Sequence, residues 1–154
     1  MKTVLFVCSG NICRSPMAEG LLRRRLAADG RDGEFRVRSA GTWAMEGAPA
    51  NASAVRVMAE RGVNIGGHRT HELTAEDVES ATLILTMTEV HAQALRRKWP
   101  QHSRKVYRLS EMAGQQLDVE DPYGAPLDVY RACADEIEAL IEEGYERILE
   151  LAGV

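Results

Sequence analysis

Val4-Leu5-Phe6-Val7-Cys8-Ser9-Gly10-Asn11-Ile12-Cys13-Arg14-Ser15-Pro16 passes from an apolar run through a short polar turn into a helix opening. The four residues before Cys8 read as a buried strand. Ser15-Pro16 reads as the start of a helix, with proline in the first turn, where its missing N–H costs little. A strand-to-helix turn aims several backbone N–H groups and the positive end of a helix dipole at one point, so it is a ready anion site. A cysteine at the start of such a turn is favoured as thiolate by those N–H groups and by the Arg14 guanidinium. Five residues separate Cys8 from Arg14. That length lets Ser9, Gly10, Asn11, Ile12 and Cys13 wrap an oxyanion of phosphate size while Arg14 clamps two oxygens with its fork. Gly10 and Asn11 are expected to supply the positive φ that a tight cradle needs. The bare Cys-x5-Arg spacing is weak, and the strand before it and the helix after it carry the prediction. The chemistry expected is attack by Cys8 on phosphorus.

Working outward, strand and helix signals alternate. The first helix is expected from about Ser15 to Asp29, closed by Gly30, with Met17, Leu21, Leu22 and Leu26 inward and Arg23-Arg24-Arg25 on a solvent face. Glu34 to Ser39 alternates like a strand, with Ala40-Gly41-Thr42 breaking it. A helix is predicted from about Asn51 to Arg61 with Val55, Met58 and Ala59 inward and Gly62 at its C-terminal cap. Thr74 opens a short helix through a capping box with Asp77. Thr82 to Thr86 is a buried strand, Thr88 caps a helix that Pro100 ends, Lys105 to Leu109 is a further strand, and the last helix runs from about Pro126 to Leu151. Helices between short apolar strands imply an α/β fold with a mainly parallel sheet and helices on both faces, in which ligands bind beyond the carboxyl ends of the strands. Cys8 lies at such an end.

The chain has 154 residues, read as one domain spanning 1–154, and a net charge of −4, which leaves no basic face for nucleic acid. The N-terminus is too soon interrupted for a signal peptide and no apolar run reaches membrane-spanning length, so a cytoplasmic protein without a membrane partner is expected. Cys8, Cys13 and Cys133 make a poor disulfide scaffold and include no CxxC pair, which argues against a structural zinc site. Cys133 reads as packing.

Attack on a phosphate ester needs an acid for the departing oxygen. Asp121-Pro122-Tyr123-Gly124 fits, because it follows the polar stretch 114–120 and precedes the final helix, with Pro122 restricting the Asp121 backbone. Asp118, Glu120 and Asp128 compete by proximity. Tyr123 is a candidate pocket wall able to stack on an aromatic substrate.

The segment Val7 to Glu19, with Asp121-Pro122-Tyr123, closely resembles the low-molecular-weight protein tyrosine phosphatase family, and Ser39-Ala40-Gly41-Thr42, Val63 to His68 and Leu83 to Met87 extend the likeness along nearly the whole chain. The resemblance implies a three-layer fold around a four-stranded twisted sheet with the phosphate loop after the first strand. It implies a monomer without metal or cofactor that acts on phosphorylated proteins. It makes Cys8 the nucleophile, Arg14 and the loop N–H groups the transition-state stabilisers, Ser15 a hydroxyl donor to Cys8, and Asp121 the acid and then the base. It also implies that Asn11, in a left-handed conformation, holds the loop through Ser39 and His68. From the residues alone, His68 reads as a turn residue beside Gly66-Gly67. By the same resemblance Cys13 is a redox partner that traps Cys8 as a reversible disulfide.

The family's bacterial branch divides between phosphotyrosine and phosphoarginine hydrolysis, and the arginine phosphatases carry threonine at the loop position occupied here by Ile12. An isoleucine offers a phenyl ring an apolar edge. The stretch Asp121 to Tyr130 resembles the branch containing the arginine phosphatases. Specificity lives in pocket contacts, so tyrosine phosphatase is the reading, with arginine phosphatase as the alternative and Trp43 as a further pocket wall. An arsenate reductase would need a relay of further cysteines, and none occurs between Cys13 and Cys133. A phosphocysteine carrier has no use for Arg14 plus Asp121, and a non-catalytic phosphoprotein-binding module has none for Cys8, Ser15 and Asp121 together.

Overall fold

A computed structural model describes residues 1–153. Its elements in chain order are β1 (Lys2–Cys8), α1 (Arg14–Ala28), β2 (Phe35–Gly41), α2 (Ala52–Glu60), α3 (Ala75–Ser80), β3 (Leu83–Thr86), α4 (Glu89–Lys98), a 3-10 turn (Pro100–Lys105), β4 (Val106–Arg108), α5 (Leu109–Met112) and α6 (Leu127–Ala152). The four strands form one parallel sheet in the order β2-β1-β3-β4. Successive strands leave β1 in opposite directions, β2 on one side and β3 on the other, so its carboxyl end lies at the switch point where α/β sheets open a crevice.

Alternation along β1 divides the core. Val4, Phe6 and Cys8 face a large cluster built with α1, α2, α5 and α6, while Leu5 and Val7 face a smaller one built with α3, α4 and Ala40. Both faces are covered, which is why β1 and β3 are apolar almost throughout. Gly144 of α6 lies so close to α5 that an added Cβ would stand 2.6 Å from Met112 Cβ. Among the described residues no helix is long and apolar enough to cross a membrane.

Thr74 and Thr88 form the capping boxes that open α3 and α4, with Asp77 and His91 completing them. Several expectations need correction. The second strand continues to Gly41 instead of breaking at Ala40, because Ala40 and Gly41 still pair with Val7 and Cys8 of β1. In α2 the buried residues are Ala54, Val57 and Met58, with Val55 half-buried and Ala59 exposed. All five are apolar, so the stripe was ambiguous, and packing on α6 selects the face that also carries Arg61 to Asp135 and Glu138. The Arg23-Arg24-Arg25 run is not merely solvated: Arg24 pairs with Glu138, and Arg25 pairs with Glu142 and lies 4.0 Å from the Tyr145 ring centre. Leu109 leaves the fourth strand and starts α5, a helix whose brevity leaves no periodic signal.

Candidate active site

β1 delivers Cys8 to the head of the loop and α1 receives the chain at Arg14. Most of the loop's carbonyls are occupied by donors from outside its centre. Cys8 O accepts from Thr42 N, Ser9 O from Trp43 N, Asn11 O from His68 Nε2 and Ile12 O from Asn51 N. Among the described residues, none of the N–H groups from Ser9 to Arg14 donates to a backbone carbonyl. Buried N–H groups seek acceptors. Six successive donors left open in a closed loop, at the N-terminus of a helix of fifteen residues, therefore make an anion nest.

One residue sets the curvature. Asn11 has φ 59° and is fully buried, the one non-glycine residue with positive φ among those described. Its Nδ2 donates to Ser15 Oγ at 2.8 Å and Ser39 Oγ at 3.0 Å, and its Oδ1 accepts from His71 N at 2.9 Å. Gly10 does not share that conformation, contrary to expectation, since one left-handed residue suffices for the turn. The Asn11 side chain is turned away from the cavity, so its part is to hold the loop and not to line it. Gly41 permits the contact from the β2 side, because a Cβ there would lie 2.3 Å from Ser9 O.

Arg14 is buried and aimed inward by its Nη1, which donates to Val119 O at 2.8 Å. Its Nε is buried without a partner and its Nη2 lies 3.7 Å from Asp121 Oδ2. A buried guanidinium N–H left unbonded is costly, and two oxygens of a phosphate would satisfy the free edge of the fork. Ser15 Oγ lies 2.9 Å from Cys8 Sγ. The cavity over the loop, about 420 Å³, is lined by Cys8, Ser9, Gly10, Ile12, Cys13, Arg14, Trp43, Met45, Asp121 and Tyr123. Trp43 is 85% exposed and Tyr123 64%, so both stand on the rim with faces open.

Residues 3–150 match the family described as low molecular weight phosphotyrosine protein phosphatase. The chain belongs to this family. It is 40% identical to the probable low molecular weight protein-tyrosine-phosphatase EpsP of Ralstonia nicotianae, over 98% of this chain and 99% of that one. It is 38% identical to the protein-arginine-phosphatase of Geobacillus stearothermophilus, over 94% and 95%. The crystal structure of the low molecular weight protein tyrosine phosphatase from T. tengcongensis superposes with a TM-score of 0.90 at 42% identity, covering 96% of this chain and 99% of that one. The chain is thus a hydrolase, a protein phosphatase of the low-molecular-weight family, whose relatives divide between tyrosine and arginine phosphatases at similar identity.

Among the carboxylates that competed with Asp121, Asp118 is engaged: it accepts from Glu89 N and Arg108 Nη1, fastening the loop to the start of α4. Asp121 hangs free, its Oδ1 accepting from Tyr123 N and its other oxygen facing Arg14. Cys13 Sγ contacts Tyr130 Oη at 3.6 Å, and burial pushes the Cys13 thiol up to about 11. Cys133 is buried in the core, as expected of a packing residue, with its thiol pushed up to about 12 by the same cause. His68 is the turn residue expected from its neighbours, yet it reaches the loop at Asn11 O. Four participants were missed in the sequence. Met45 stands 78% exposed on the rim. Val119 acts only through its carbonyl, which no side-chain pattern encodes. His71 clamps the loop's outer support, its ring between Glu46 and Asp77 at 3.0 and 2.7 Å. His91 is buried with Nε2 2.9 Å from Ser9 Oγ, and its place three residues after Thr88 was a usable capping signal.

Proposed function

We propose that this phosphatase removes phosphate from tyrosine side chains of proteins through a phosphocysteine at Cys8. The observation that carries the choice of substrate is the cavity wall: Ile12 presents hydrocarbon beside the nucleophile, and Trp43 and Tyr123 stand open on the rim. A phenyl ring gains from such surroundings through burial and stacking. A phosphorylated guanidinium brings N–H donors that an isoleucine cannot satisfy.

Cys8 thiolate attacks phosphorus in line with the tyrosyl oxygen. The P–O bond breaks as the S–P bond forms, and Asp121 gives its proton to the departing phenolate. Ser15 donates to the Cys8 sulfur, which favours the thiolate as nucleophile and later as leaving group. The N–H groups of the loop and the Nε and Nη2 of Arg14 bind the three non-bridging oxygens, where charge is held in the transition state. Water then attacks the phosphocysteine, Asp121 carboxylate takes its proton, and the S–P bond breaks to release inorganic phosphate. The resting contact of Asp121 with Arg14 suits this sequence, since an arriving phosphate takes that side of the guanidinium and leaves the carboxyl over the bridging oxygen.

The arginine phosphatase reading has a specific support in the 38% identity to the Geobacillus enzyme over nearly the whole chain. Steady-state kinetics of the wild type and Ile12→Thr on matched phosphotyrosine and phosphoarginine peptides separate the two. We expect a wild-type preference for phosphotyrosine that falls on substitution. Faster wild-type turnover of phosphoarginine overturns the assignment and moves the source of specificity from Ile12 to the rest of the pocket.

A further inference from the structure

Ser9 is the first residue of the anion loop and borders the cavity, and its hydroxyl is spoken for on one side only. Ser9 Oγ lies 2.9 Å from His91 Nε2, a contact spanning 82 residues, and has no other protein partner among the described residues. Which way the hydrogen points in that contact is fixed at the far side of the ring. His91 Nδ1 lies 3.2 Å from Thr88 N and 3.0 Å from Thr88 Oγ1. A backbone N–H only donates, so Nδ1 is the acceptor, and a neutral ring then carries its proton on Nε2. Nε2–H therefore donates to Ser9 Oγ. The serine's own hydrogen is excluded from that contact and is free to turn to an acceptor in the cavity.

The ring stays neutral where it sits. Burial lowers its affinity for a proton, and so does the Arg14 charge; the carboxylates of Asp118 and Asp121 act in the opposite sense, and the balance is a pKa of about 4. Protonation would also place a second hydrogen on Nδ1, against the Thr88 N–H. His91 is thus a fixed-tautomer donor held by the capping box of α4 and not an acid of the reaction.

We propose that His91 is a positioning residue for phosphoryl transfer: its Nε2–H fixes Ser9 Oγ so that the serine hydroxyl becomes a further hydrogen-bond donor to the phosphoryl oxygens over Cys8. The proposal rests on the family's phosphatase activity and applies to a tyrosine or an arginine substrate alike. The substrate touches Ser9, and His91 acts through it.

Two substitutions at position 91 divide the ring's contacts. His91→Asn keeps an oxygen near the Nδ1 position, where it still accepts from Thr88 N, and loses reach to Ser9. His91→Gln has an amide oxygen and nitrogen spaced much like the two ring nitrogens, and glutamine is a preferred residue at that point of a capping box. Ser9→Ala removes the hydroxyl itself. The experiment measures kcat, KM and inhibition by orthovanadate, with melting temperature, for these three and for the Ser9→Ala/His91→Asn double variant. Ser9→Ala is expected to lower kcat roughly tenfold or more, in line with removal of one donor to a developing oxyanion, and to weaken vanadate inhibition. His91→Asn should lower kcat several-fold, His91→Gln should recover much of it, and the double variant should be no slower than Ser9→Ala alone, because two members of one relay do not add. Wild-type kcat and vanadate inhibition in Ser9→Ala overturn the proposal while leaving the phosphatase reading intact. So does an equal loss from His91→Asn with and without Ser9, which marks a structural role only. If His91→Asn proves unstable, Ser9→Ala and His91→Gln still decide by the same readings.

Discussion

Asp121 and Cys13 show how differently two residues of one cavity are prepared. Asp121 is half-exposed and tethered only through Tyr123 N and the Arg14 charge, so it can follow a substrate oxygen. Asp121→Asn should lower kcat on a phosphotyrosine peptide by about 10² to 10⁴, the usual range for a general acid. The loss should shrink for an aryl phosphate whose phenol is acidic enough to leave unaided, and comparison of the two substrates checks it. Equal losses would move the acid elsewhere. Cys13 is held the opposite way, its thiol raised to about 11 by burial and bound to Tyr130. A thiol so rarely ionised attacks slowly. After peroxide converts Cys8 thiolate to the sulfenic acid, Cys13 displaces water to close a disulfide only if that reaction outruns a second peroxide. Cys13→Ser should therefore lower the activity that a thiol reductant restores after a peroxide pulse, and the recovered fraction against pulse time measures it. Recovery equal to that of wild type would remove Cys13 from the redox chemistry.

The elements around the loop are braced by ion pairs whose charge states have a definite pH window. His71, raised above its ordinary 6.5 chiefly by its bond to Glu46, joins Glu46 and Asp77, both lowered from their ordinary values. A raised histidine contributes stability fully below pH 6.5 that is lost as pH rises through its folded value. Lowered carboxylates contribute stability above about 4.5 that is lost as pH falls. The clamp is thus strongest between these limits. The melting-temperature difference between wild type and His71→Gln should be greatest near pH 5 to 6.5 and should shrink by pH 9, as thermal melts across that range would show; a constant difference would mean the ring only fills space. Why this brace escaped a reading of the sequence, while the loop did not, is a matter of distance along the chain. Cys8 to Pro16 is one contiguous string whose strand, turn and helix opening constrain each other locally. Its supports arrive from 28 residues away at Ser39, 57 at His68 and 82 at His91, and apart from the place of His91 three residues after the Thr88 cap none of these belongs to a period or a spacing. Resemblance to a family supplied Ser39 and His68, and His71 and His91 had no such help. The face of α2 was hidden for a related reason: Val55 and Val57 are equally apolar, and only the position of α6 distinguishes them.

Taken as a whole, the molecule sets its chemistry on one end of a sheet and closes it with a last helix of 26 residues that packs on α1, α2 and α5. That closure leaves no room at Gly144, beneath Met112. Gly144→Val should destabilise the fold by about 1 to 3 kcal/mol through overpacking, read as a lower urea midpoint, with kcat per folded molecule retained. An unchanged midpoint would show that α5 yields. The same global construction decides when the chain can first act. The bond from Arg14 to the Val119 carbonyl spans 105 residues, so the motif is completed by a residue that leaves the ribosome long after it. Domains fold as units while synthesis proceeds. With the roles proposed above, a growing chain that has exposed Cys8 through Arg14 but not yet Val119 and Asp121 carries a nucleophile with an unanchored guanidinium and no proton donor. On that reading the topology withholds phosphatase activity until translation has passed the strands and supplied the final helix that closes the core.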